Sequence, residues 1–162
     1  APNRLPGLIG VVARGVGAPA GIVAGQAWEC EPEADLTAYH QAKTGALFVA
    51  ATTGGALAAG ADPGPWRALG EGLGEAYQVA DDLMDALASP EHCDKPCGQD
   101  IAHGRPNAVA RLGVQGAVAR LEGLVEAAAA SIPDCRGADA LRDLVRLQAT
   151  RLVPKGLART AA

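Results

Sequence analysis

The apolar residues of this chain recur at helical spacing almost from end to end, and no run shows the β-branched alternation that marks a strand. A chain so patterned can bury its apolar stripes only by packing helix on helix, so the fold class is all-α. Proline and glycine punctuate the pattern. The spacing predicts a first helix over about 4–14, broken at Gly15-Val16-Gly17, and a second, rich in small residues, over Gly21–Glu29. Asp35 stands where it can cap a long helix from Leu36 to about Ala59, closed by Gly60 and Pro63, and a second long helix runs from about Pro65 to Leu87. A polar connection of 17 residues follows, Ser89–Arg105, of a length more often functional than idle in a helical domain. Pro106 then suits the first turn of another helical stretch, and helices over about Val114–Ser131 and Gly137–Val153 complete the pattern. No repeat or linker divides residues 1–162, which read as a single all-α domain.

A chain of 162 residues can build a core without staples, and its composition excludes several classes of function. With a net charge of -4 and its 14 Lys and Arg scattered, it lacks the basic stripe of a nucleic-acid binder. No apolar run reaches the roughly 20 residues of a membrane span. Cys30, Cys93, Cys97 and Cys135 are too unevenly spaced for a disulfide framework and read as reduced thiols of a cytoplasmic protein. His92, Cys93, Cys97 and His103 are zinc-ligand types, but Cys-X3-Cys departs from the common ligand spacings. The opening at Ala1, without an initiator Met, reads as the start of a fragment.

The chemistry concentrates on the second long helix. At about 100° per residue, Gln78, Asp81, Asp82 and Asp85 share a stripe about 100° wide on a helix whose other positions are largely apolar. Three carboxylates with no adjacent Lys or Arg repel one another unless a cation lies among them, and hard oxygens with room for water and phosphate suit Mg²⁺. A solvated acidic face is the alternative. On the preceding long helix, Lys43 projects from a stripe formed by Leu36, Tyr39, Ala46, Leu47 and Ala50. Such a lysine can snorkel, yet Lys43-Thr44 also offers an ammonium and a hydroxyl together, a pair suited to a phosphate. If the two helices are antiparallel, the cation can face the carboxylates across a cavity.

Four segments in order, Gly25-Gln26-Ala27-Trp28-Glu29, Lys43-Thr44-Gly45-Ala46-Leu47-Phe48, Gln78-Val79-Ala80-Asp81-Asp82-Leu83-Met84-Asp85 and Lys95-Pro96-Cys97-Gly98-Gln99-Asp100, resemble the C-terminal half of trans-isoprenyl diphosphate synthases. The stretch Ala38–Phe48 is similar in particular to the geranylgeranyl diphosphate synthases of bacterial carotenoid pathways. The resemblance implies an isoprenoid-synthase helical bundle. It implies that Asp81, Asp82 and Asp85 are the second Asp-rich motif, holding Mg²⁺ against an allylic diphosphate, with Asp81, Asp82 and Lys43 as the catalytic set. Lys43 and Lys95 would bind the diphosphate directly, with Thr44, Gln78 and Gln26 lining the same cavity. Arg105 stands in the place of a further lysine, Glu29 replaces an Asp, and Asp94 replaces the Gly that usually precedes Lys95.

The family's first Asp-rich motif, which goes with isopentenyl diphosphate binding, has no counterpart, since no Asp-Asp pair precedes Asp81. The expectation is therefore half a prenyltransferase. The parent would condense isopentenyl diphosphate with an allylic diphosphate, forming geranylgeranyl diphosphate for carotenoid or other isoprenoid biosynthesis. The fragment alone would be inactive, with apolar faces around Leu47, Phe48, Val79 and Leu83 left partly open. It would associate as a homodimer or with the missing half. A non-catalytic half-synthase or small subunit modulating a complete synthase is the alternative. Trp28, Trp66, Tyr39 and Phe48 read as packing residues.

Overall fold

The computed structural model describes residues 2–31, 38–39, 41–87 and 107–152. Those residues form helices and turns, with no strand among them. A 3₁₀ turn, Pro2–Arg4, leads into α1 (Leu5–Val16), followed by α2 (Ile22–Ala27) and a 3₁₀ turn at Trp28–Cys30. A π-helical turn, Gln41–Gly45, runs directly into α3 (Ala46–Ala59). The 3₁₀ turn Gly64–Trp66 then opens α4 (Arg67–Leu87), and α5 (Ala108–Ala130) and α6 (Ala138–Leu152) complete the described chain. The expected cap Asp35, and the zinc-type residues His92, Cys93, Cys97 and His103, lie outside the described residues.

The helix ends follow the chain's punctuation. Gly60, at φ 86°, closes α3, with its N–H donating to the Leu57 carbonyl and the Ala61 N–H to the Ala56 carbonyl, the paired bonds of a Schellman motif. Two differences from the sequence expectation have local causes. The long helix expected over 36–59 carries a π turn at Lys43, so it is not uniformly α-helical. The helix expected to begin at Pro106 has Asn107 as its N-cap instead: the Asn107 side chain accepts from the Val109 and Ala110 N–H groups at 2.8 and 3.2 Å, and the first turn starts at Ala108. Gly113, at φ 69°, breaks α5 just before Val114, where the sequence places a helix start.

The helices stack in chain order. α1 lies antiparallel on α3, since a Cβ on Gly7 would meet Leu57 while one on Gly15 would meet Ala50 and Ala46. α3 lies antiparallel on α4. A Cβ on Gly70 would fall 2.6 Å from Val49 Cα, and one on Gly74 would fall 2.8 Å from Gly45 Cα, so the two backbones touch through glycine. α4 in turn packs on α5, which is antiparallel to it, with Gly72 against Ala128 and Glu75 paired with Arg120. Leu83 and Leu121, both fully buried, form the centre of this last interface with Ala76, Ala80, Ala117 and Ala129.

At the far end, Arg146 of α6 reaches both carboxylate oxygens of Glu126 on α5, with contacts of 2.9 to 3.2 Å. Hydrogen bonding to Arg146, then its positive charge, holds the Glu126 carboxyl below its usual range. The pair is exposed, so water screens it and it counts for little beside the core.

The open apolar surface is not where the sequence suggests. Val79 and Leu83 are buried against α5, whereas Leu5, Ile9, Val12 and Val16 form an exposed stripe along α1 at i, i+4, i+7 and i+11. Leu47 is exposed as expected, and the Phe48 ring, half-buried, lies against Tyr77 with centroids 5.6 Å apart. α5 supplies the cover for Val79 and Leu83, which the position of those residues on α4 does not reveal.

Two substitutions test the glycine contacts. Gly74→Ala is expected to destabilise by roughly 1–3 kcal/mol, because overpacking against a backbone outweighs the gain of about 1 kcal/mol in helix propensity. Gly55→Ala, on the same helix pair with nothing within 4 Å of its Cβ, is expected to stabilise by up to about 1 kcal/mol. Urea unfolding midpoints at equal slope measure both.

Candidate functional site

The register set by the α3–α4 glycines carries through to the Asp-rich segment. Gly45 sits opposite Gly74 and Val49 opposite Gly70, so the antiparallel course leads from these contacts toward the π turn on one helix of the pair and the Asp-rich segment on the other. Helical side chains lean toward the N-terminus of their own helix. The Lys43 side chain does so here: its Nζ donates to the Tyr39 hydroxyl at 2.7 Å and lies 5.2 Å from the centre of the Tyr39 ring. The ammonium thus reaches back a turn, toward the level of the carboxylates.

α2 closes this region from the other side. A Cβ on Gly25 would lie 2.5 Å from Lys43 N and 2.6 Å from Lys43 Cα, so only glycine allows the π turn and α2 to meet. That contact places Gln26, the next residue, beside the turn that carries Lys43 and Thr44, and Glu29 lies in the following 3₁₀ turn. Thr44 is half-buried and Gln26 is exposed.

The three carboxylates do not share one environment. Adjacent residues on a helix project about 100° apart, and Asp82 falls with Val79 and Leu83 on the face that packs against α5. It is 6% exposed. Its Oδ2 accepts from the Ala108 N–H at 2.7 Å and its Oδ1 from Gln78 Nε2 at 3.3 Å. Asp81 is half-buried and Asp85 is exposed. The stripe shared by all three is graded in burial: α5 begins beside Asp82 and covers it in the helix–helix interface, leaving Asp81 and Asp85 one turn apart as the less buried pair. Among the described residues, no three His, Cys, Asp or Glu side chains gather into a group that could hold a metal ion. Lys95 and Arg105 lie outside the described residues.

Two residues were not read for what they do. Tyr39 was assigned to packing, and it is buried, yet its hydroxyl also holds Lys43. Its position four residues before the lysine was the available signal. Asn107 directly precedes an apolar helical run, an N-cap signature that the neighbouring Pro106 masks in the sequence.

The donor set suits one kind of ion. Asp81 and Asp85 supply hard oxygens from one turn of helix, too few for a closed cage and suited to Mg²⁺, which keeps much of its shell as water and phosphate oxygen. A nearby ammonium and hydroxyl, Lys43 and Thr44, are suited to the phosphate. Among the described residues no helix is long and apolar enough to cross a membrane.

Comparison with known proteins shows the family and the fold. The polyprenyl synthetase family model matches residues 15–136. The chain is 52% identical over 157 residues to the geranylgeranyl diphosphate synthase of Cereibacter sphaeroides, covering 97% of this chain and 54% of that protein. Among solved structures, an FPP/GFPP synthase from Zymomonas mobilis superposes with a TM-score of 0.71 at 27% identity, covering 94% of this chain and 52% of that one. A geranyltransferase from Helicobacter pylori, solved with magnesium and isoprenyl diphosphate, superposes with a TM-score of 0.65 at 25% identity over the same 94% and 52%. The chain spans about half the length of these relatives.

The N-cap offers a direct test of the site's frame. Asn107→Ala removes the acceptor for two N–H groups at a buried helix start and is expected to destabilise by about 1–2 kcal/mol, read by thermal or urea unfolding.

Proposed function

The chain belongs to the polyprenyl synthetase family, and on that premise we propose that residues 1–162 are one domain, the C-terminal half of a prenyltransferase that condenses isopentenyl diphosphate with an allylic diphosphate. The product we assign is geranylgeranyl diphosphate, supplying carotenoid or other isoprenoid synthesis, because the Cereibacter relative is a geranylgeranyl diphosphate synthase. The observation that carries the reading is the glycine-tight seating of the Lys43 turn between α2 and the Asp-rich helix. It brings a cation, a hydroxyl and outward carboxylates to one end of the bundle.

In this reading Asp81 and Asp85 hold Mg²⁺, and the bound ion would neutralise charge on the diphosphate as it departs. Lys43, oriented by Tyr39, donates to the diphosphate oxygens and stabilises the negative charge that builds as the allylic C–O bond breaks. Thr44 and Gln26 line the same side, with Lys95 and Arg105 assigned to the diphosphate by the motifs around them. The isopentenyl double bond attacks the allylic cation, forming the new C–C bond, and the released pyrophosphate takes the proton. No side chain acts as a nucleophile. Gln78 bonds Asp82 directly and serves the diphosphate at most through that carboxylate.

The isopentenyl diphosphate site and the first Asp-rich motif are assigned to the rest of the protein, so residues 1–162 alone carry out no turnover and associate with that remainder or as a homodimer. The exposed free thiols Cys30 and Cys135 suit the reducing conditions of the cytoplasm, where we place the protein.

Full-length protein given Mg²⁺, labelled isopentenyl diphosphate and an allylic primer is expected to form a longer diphosphate. Lys43→Ala is expected to lower kcat/KM about 10²-fold or more, the scale for removing one preorganised donor to a developing anion. Formation of no longer diphosphate by the wild-type protein would sink the reading and leave the non-catalytic partner. Prenyl transfer by purified residues 1–162 alone would show that the missing half is dispensable.

A further inference from the structure

We propose that Asp82, although it lies within the Asp-rich motif, is a positioning residue that pins the start of α5 to α4 and is not a ligand of the metal ion. The inference rests on the reading of Asp81 and Asp85 above and divides the roles within that motif.

A helix start buried in a protein leaves its first N–H groups to be satisfied by something other than the helix itself. At the start of α5, Asn107 is 5% exposed and its side chain takes the N–H groups of Val109 and Ala110. It does not take that of Ala108. That donor points across the interface to Asp82 Oδ2 at 2.7 Å, the distance of a charge-assisted bond. That bond offsets part of the cost of burying the carboxylate. Gln78, one turn earlier on α4, donates to the second oxygen at 3.3 Å and fixes the rotation of the carboxylate. Both oxygens are thus committed to protein donors, and the side chain belongs to the face that carries Val79 and Leu83.

Asp82 lies near the end of α4 and Ala108 opens α5, so their bond joins the Asp-rich helix to the first turn of the next described one. The bond therefore fixes the register of α5 on α4 at this end of their interface. A metal ion at Asp82 would have to enter an interface in which the residue is 6% exposed and compete with both donors for its oxygens.

Amide hydrogen exchange in the full-length protein separates the two roles. Asp82→Ala is expected to speed exchange across residues 108–112 about tenfold or more, while residues 121–129 of the same helix keep their protection. Asp82→Asn, whose carbonyl can still accept but carries no charge, is expected to fall between, and it decides the matter if the alanine variant does not fold. Asp81→Asn is expected to leave 108–112 unchanged. In parallel, binding of Mg²⁺ with inorganic pyrophosphate is expected to weaken about tenfold or more in Asp81→Asn and less than threefold in Asp82→Asn. The proposal is overturned if both Asp82 variants leave exchange at 108–112 unchanged, or if Asp82→Asn weakens binding as much as Asp81→Asn. Should Asp81→Asn leave binding intact, the metal reading fails, and the exchange comparison still decides what Asp82 does.

Discussion

The distance between α3 and α4 governs everything else in this bundle, and it is set by the absence of two side chains. At Gly70 and Gly74 the backbone of α4 meets that of Val49 and Gly45 with no room for a methyl group between them. Each glycine weakens an isolated helix by about 1 kcal/mol relative to alanine, so local propensity opposes the arrangement. Overpacking of a well-filled interface costs about 1–3 kcal/mol, so tertiary packing wins and the glycines are tolerated in the middle of a helix. The same device recurs where Gly25 meets the backbone of Lys43. Three elements are held at backbone contact, which fixes the Lys43 turn between α2 and the Asp-rich helix.

Polar groups follow from that constraint. α3 is apolar along most of its length, yet carries Thr52 and Thr53, whose hydroxyls bond back to the Phe48 and Val49 carbonyls of their own helix. They can therefore lie in a tight interface without an external partner. Asp82 is the harder case, because a buried carboxylate without donors would cost several kcal/mol. The start of α5 supplies one donor and Gln78 another. The α4–α5 pair thus combines an alanine- and leucine-rich core with one charged contact at its end, and the charged contact fixes register where small side chains alone would allow sliding.

Much of this was legible in the residues and some was not, for definite reasons. Helix class follows from periodicity, and the breaks at Gly60 and Gly113 follow from the left-handed conformation glycine permits. The motif segments, read by resemblance, foretold that Lys43 and the Asp-rich helix belong to one region. The π turn at Gln41–Gly45 was not legible, because its residues are compatible with an ordinary helix and the elements that pack on it, α2 and α4, are distant in sequence or separated by a turn. Helical angles placed Asp81, Asp82 and Asp85 on one stripe, but a stripe 100° wide spans both the edge and the face of an interface. Which part α5 covers depends on a helix that begins 26 residues after Asp82. Val79 and Leu83 were misjudged for the same reason, their cover being distant in sequence.

The exposed stripe on α1 shows what this bundle can and cannot do by itself. Leu5, Ile9 and Val12 are each more than half exposed and Val16 slightly less. Full burial of such a side chain gains about 1.5–3 kcal/mol, so covering what remains open gains roughly 1 kcal/mol apiece, or about 4 kcal/mol in all. Association of two free molecules costs an estimated 4–15 kcal/mol in lost motion before any contact counts. The stripe alone therefore does not hold a separate partner. A covering segment joined covalently to the same chain escapes most of that loss, because its effective concentration is already high. An independent partner would have to engage further surface, such as exposed Val23 on α2, together with the stripe. Weak on its own and sufficient within a larger assembly, the α1 face behaves as one part of an interface whose remainder lies on other elements.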